Sequence, residues 1–121
     1  MKEFGMGAIA ASLLLLGSAY AQKERTFSGE IMDSVCSKDG SHAEMEKARG
    51  LSADRMGAKA CTLACAKEGG SFVLYDSATK TVYQLSDQAA AEQFAGDKVK
   101  VSGDYDDASQ TITVTKIQPG S

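Results

Sequence analysis

The sequence predicts a mostly β fold with helices (α+β), in the form of a small five-stranded Greek-key barrel of the oligonucleotide/oligosaccharide-binding (OB) type. Three observations predict it. Five short segments are rich in β-branched and aromatic residues. One helical segment separates the third of these from the fourth, the order of a small OB-like barrel. A helical stretch, about residues 36–70, holds all three cysteines and falls between the first strand and the second. An open α+β sheet is the alternative, because closure is not written in the order of elements.

The first strand is read in "ERTFSGEIMDSV" (24–35), with Phe27 and Ile31 on a common side. A loop with Cys36 and Gly40 follows. "SHAEMEKARG" then opens as a capping box, Ser41 at the N-cap and Glu44 three residues on, with Gly50 as its stop. A second helix is expected from near Ser52 through "ADRMGAKACTLACAKE", ending at Gly69-Gly70. "SFVLYD" and "TVYQL" are strands two and three, joined as a hairpin through "DSATKT". "SDQAAAEQFAG" is a third helix, capped by Ser86 or Asp87 and closed by Gly96. "DKVKVSGDY" and "TITVTKI" alternate as the last two strands around "DDASQ".

The N-terminus carries a different message. "MKEFGMGAIAASLLLLGSAYAQ" has a charged start, an apolar run from Met6 to Leu16, and Ala19 and Ala21 in an A-x-A pattern. Residues 1–21 therefore read as a signal peptide, cleaved before Gln22, and 22–121 as one exported domain, periplasmic or secreted. The apolar run is short for a permanent span, so no stable membrane anchor is expected after cleavage. Removing Lys2 and Glu3 with the leader leaves 12 basic against 15 acidic groups, and the net charge stays at −3. No basic footprint for nucleic acid is present.

The chemistry-bearing residues are few: Cys36, Cys61, Cys65 and the single histidine, His42. On a helix, Cys61 and Cys65 at i and i+4 share a face with Cβ atoms about 5–6 Å apart. A disulfide needs about 3.8 Å, whereas two thiolates on one metal can sit nearly 4 Å apart, sulfur to sulfur. The local spacing thus favours chelation. Cys36, His42, Cys61 and Cys65 make a Cys₃His set suited to tetrahedral zinc, and the thiolates suit Cu(I) as well. The alternative is a long-range disulfide from Cys36 to Cys61 or Cys65, worth roughly 3–4 kcal/mol by chain entropy and natural in an oxidising compartment. An odd thiol count leaves one cysteine over. Thioredoxin-type exchange wants C-x-x-C, and the spacing here is C-x-x-x-C. No acid/base pair or oriented nucleophile is visible, so no enzyme is expected.

The segments "GEIMDSVC", "GSH", "KACTLAC", "GGSFVLYD", "TVYQLSDQ" and "FAGDKVKVSG" resemble a family of small exported bacterial domains of unknown function. The D-x-x-C, G-S-H and C-x-x-x-C elements are the specific part, and the closing strands resemble other exported OB-like domains. The resemblance implies the small-barrel fold and attaches no activity or ligand to any residue. The expected function is binding, not catalysis: a soft metal ion held by Cys36, His42, Cys61 and Cys65, in metal handling or envelope-stress protection. The alternative is a disulfide-stapled interaction module whose sheet face meets an envelope protein or a glycan.

Overall fold

The computed structural model describes residues 24–48 and 57–120. The expected leader, the stop at Gly50 and the expected helix start near Ser52 lie outside the described residues. The remainder is α+β, with one five-stranded mixed sheet and three α-helices. The strands are β1 (Arg25–Asp33), β2 (Phe72–Asp76), β3 (Thr81–Leu85), β4 (Lys98–Asp106) and β5 (Thr111–Pro119). The helices are α1 (His42–Ala48), α2 (Ala58–Lys67) and α3 (Gln88–Glu92), and Cys36–Asp39 forms a 3₁₀ turn where the sequence suggested a loop.

Each strand pairs with two others, in the order β1-β2-β3-β5-β4 and back to β1. All pairings are antiparallel except β3 with β5, which touch over only Gln84↔Thr111 and Leu85↔Ile112. β1 serves two neighbours in succession. Arg25–Glu30 pairs with β4, and Glu30–Asp33 pairs with β2. Gly29 stands at this changeover, where a Cβ would run into the carbonyl oxygen of Tyr75. The backbones approach closely there because no side chain intervenes.

Period-2 alternation sorts the side chains into two apolar clusters. Phe27, Ile31, Phe72, Leu74, Leu85, Val99, Val101 and Ile112 fill one, with Ala91 and Ala95 from α3 and the turn after it. Met32, Val73 and Tyr75, on the opposite face of β1 and β2, form the second with Cys36 and Met45; Cys61, Cys65 and Val82 pack against it. β2 is therefore buried on both faces, which explains the unbroken apolar run of "FVLY". The helical insertion covers that outer face.

Local chemistry sets the element ends. The capping box forms as expected: Glu44 N donates to Ser41 Oγ at 3.2 Å, and Ser41 N donates to Glu44 Oε1 at 3.0 Å. Asp87, not Ser86, caps α3 by accepting from Ala90 N. The second insertion helix is shorter than expected. Gly57 is extended (φ −63°, ψ 157°) and forms the N-cap, so no continuous helix runs from Ser52 to Glu68. Glycine's low helix propensity accounts for the break. The two hairpins share one solution: Asp76 and Asp106 each accept from the backbone N two residues on, and Lys80 and Gln110 take positive φ.

Candidate metal centre

Asp33 ends β1, and its carboxylate organises the turn after the strand. Its Oδ2 accepts from Val35 N at 2.8 Å and from Cys36 N at 2.9 Å, an Asx-type turn that starts the 3₁₀ segment. Cys36 is thereby fixed at the first position of that segment, buried with 2% of its surface exposed. Across from it, α2 presents Cys65, whose Sγ lies 3.1 Å from Cys36 Sγ. Gly70 and Ser71 hold the far end of α2 against the same turn, with Ser71 N donating to Ser34 Oγ and Ser34 N to Ser71 O.

The other oxygen of Asp33 has no such partner. Oδ1 is fully buried and makes no hydrogen bond. One donor atom from each of Asp33, Cys36 and Cys65 lies within 4.8 Å of the others. A buried carboxylate oxygen left unpaired is costly, on the order of 1–3 kcal/mol or more when charged. A cation between these three groups would remove that cost.

Cys61, one turn before Cys65 on α2, completes a row of thiols. It packs against the same Met32–Cys36–Met45 cluster and interacts with Cys65 through its side chain. All three cysteines are free. Burial pushes the Cys36 thiol up to about 12, helped by its contact with Cys65, by the negative field of Asp33 and by a side-chain contact with that carboxylate. Burial likewise raises Cys61 and Cys65, and Cys36, Asp33 and Glu46 add repulsion at Cys61. Without a cation the three thiols favour their protonated form.

His42 stands apart. It starts α1, its backbone N donates to Glu30 Oε2 at 3.1 Å, and its ring is buried. Nε2 lies 3.3 Å from Glu46 Oε1, close but without hydrogen-bond geometry, so both ring nitrogens lack such a partner. The structure thus brings Cys36 and Cys65 together with Asp33, packs Cys61 beside them but outside that tight group, and places His42 with Glu46, outside it too. Glu46 is the link between them, since its charge reaches Cys61. Asp33 was not among the expected ligands. The D-x-x-C spacing was its signal: an Asp three residues before a cysteine can bind that cysteine's N–H and bring a carboxylate beside its sulfur.

Comparison with family models, curated proteins and solved structures finds no match. The assignment of function rests on the site alone. Among the described residues no helix is long and apolar enough to cross a membrane.

Proposed function

We propose that the chain is an exported metal-binding domain, an OB-like Greek-key barrel whose insertion holds a thiophilic cation. Asp33, Cys36 and Cys65 are the ligands, with Cys61 as fourth donor in place of His42. Three sulfurs and one carboxylate oxygen suit tetrahedral zinc; the thiolates also suit Cu(I), but the oxygen ligand favours zinc. The observation that carries this reading is the buried, unpartnered Oδ1 of Asp33, on a carboxylate that lies beside two thiols. Tetrahedral zinc with bonds of about 2.3 Å sets its sulfurs about 3.8 Å apart, so the 3.1 Å pair has to open only slightly. A set of four protein donors leaves no open position, which favours binding over catalysis.

Titration of the reduced protein with zinc or cobalt(II) tests it. About one metal per chain is expected, with thiolate-to-cobalt charge-transfer absorption. Cys36→Ser and Cys65→Ser should each abolish tight binding. Stoichiometric metal in the Cys36→Ser/Cys61→Ser/Cys65→Ser variant would remove the site. The export half of the proposal rests on the leader pattern and is tested by the N-terminal residue of protein recovered from the cell envelope, expected to be Gln22. The second reading, a stapled module without metal, is favoured by the same short sulfur separation.

A further inference from the structure

We infer that Cys36 and Cys65 form a reversible disulfide, and that this modification and the metal exclude one another at a single site. The inference rests on the metal reading above and adds its regulation. Cys65 touches Cys36 on one side and Cys61 on the other, and Cys61 lies outside the tight group that Cys36 and Cys65 form with Asp33. Only two bridges are then within reach, and both use Cys65. The Cys61–Cys65 bridge would join i and i+4 of α2, where Cβ atoms about 5–6 Å apart exceed disulfide geometry. Cys36 and Cys65 come from different elements, a 3₁₀ turn and a helix, and their sulfurs need to close by only about 1 Å from 3.1 Å. The bridge is therefore Cys36–Cys65, and Cys61 is the thiol left over.

Accessibility sets the order of events. Cys65 is half-buried and Cys36 is buried. A small-molecule disulfide, RSSR, is attacked by the Cys65 thiolate, giving a mixed disulfide and one RS⁻. Cys36 then attacks the Cys65 sulfur, forming the internal bridge and expelling the second RS⁻. Two electrons pass from the pair to RSSR; in the metal-free protein the two thiol protons end on the expelled RS⁻ as two RSH, and any zinc held by the pair leaves as Zn²⁺ with its charge unchanged. Asp33 and Cys61 alone remain, too few donors for a tetrahedral site. By linkage, zinc must protect the pair from oxidation to the same extent that the bridge weakens zinc.

The test uses the full chain, zinc and oxidised glutathione, in two arms. In the first, the reduced protein is titrated with zinc alone, which judges the metal reading by itself. In the second, zinc-loaded and zinc-free protein are oxidised while zinc release is followed with a chromogenic chelator and bridges are mapped by peptide mass. Expected are one zinc released per bridge formed, a Cys36–Cys65 link in wild type and in Cys61→Ser, and slower bridging with excess zinc. Oxidised protein that keeps zinc as tightly as reduced protein would overturn the inference even if the first arm succeeds. So would bridges running through Cys61 or between chains, or no bridge at all. A zinc-free protein that still forms the Cys36–Cys65 bridge, after a first arm that shows no zinc binding, removes the metal site and with it the exclusion, leaving a plain staple.

Discussion

Replacing Asp33 by Asn separates its two roles, because the carboxylate oxygens do different work. Oδ2 holds the turn through two hydrogen bonds of 2.8 and 2.9 Å, and Oδ1 is buried without a partner. Asn keeps an acceptor for Val35 N and Cys36 N. It loses the charge assistance, roughly 1 kcal/mol for each bond, since hydrogen bonds to charged groups contribute about 1.5–3 against about 1 for neutral ones. It also replaces the buried charged oxygen without a partner by a neutral amide NH2, which recovers part of that oxygen's cost of about 1–3 kcal/mol. These effects oppose each other, so the metal-free Asp33→Asn protein should unfold within about 1 kcal/mol of wild type. Asp33→Ala, which deletes both turn bonds, should lose about 2–4 kcal/mol. Zinc affinity should fall in Asp33→Asn by at least about tenfold, since even partners one step removed from a metal typically contribute about 10–100-fold. The assay is denaturant unfolding with chelator present, paired with zinc competition against a chromophoric chelator. Asp33→Asn binding zinc like wild type would refute the ligand role, and an Asn variant as unstable as Ala would show that the charge serves the turn alone.

The same geometry sets four further outcomes. Zinc affinity should climb with pH by up to about one log unit per pH unit for each thiol deprotonated, and the raised Cys36 thiol keeps that slope going into the alkaline range; a flat profile in competition titrations between about pH 6 and 8 would argue against thiol ligands. Metal-free protein should lose stability as pH rises above about 8.5, the ordinary thiol range, because the unfolded chain gives up cysteine protons before the folded one does; thermal scans with chelator read this, and Cys36→Ala should flatten it. Burial raises the Glu30 carboxyl above the ordinary glutamate range, so its contribution to stability is full below that range and declines as pH rises through the folded value; Glu30→Gln should gain on wild type in melting temperature between about pH 4 and pH 7. The Gln88 side chain binds Phe72 N at 2.7 Å, Phe72 O at 2.9 Å and Leu85 O at 3.0 Å, and Gln88→Ala should cost about 2–4 kcal/mol by unfolding titration, since it strands these backbone groups.

The sequence carried the order and kind of nearly every described element, because each is set by short-range chemistry. The Ser41–Glu44 box starts α1, Asp87 caps α3, and period-2 runs make the strands. The expected start of α2 near Ser52 passed over Gly57, and only the extended conformation of that glycine shows that α2 begins after it, at Ala58. The three cysteines were legible as a site from their number and from the i, i+4 spacing of Cys61 and Cys65. Cys65's approach to Cys36, 29 residues away, comes from how α2 docks on the outer face of β1 and β2. No local pattern encodes that. His42 looked like a ligand because it is the lone imidazole near cysteines, yet α1 turns it toward Glu46. Asp33 looked like the end of a strand, and its second oxygen became informative only when burial left it without a partner. Sequence by itself thus determined which donor chemistry this protein possesses and on which elements it sits. Tertiary structure decided which donors share one pocket, because that depends on packing a helical insertion across the sheet, a long-range balance of contacts that spacing along the chain does not record.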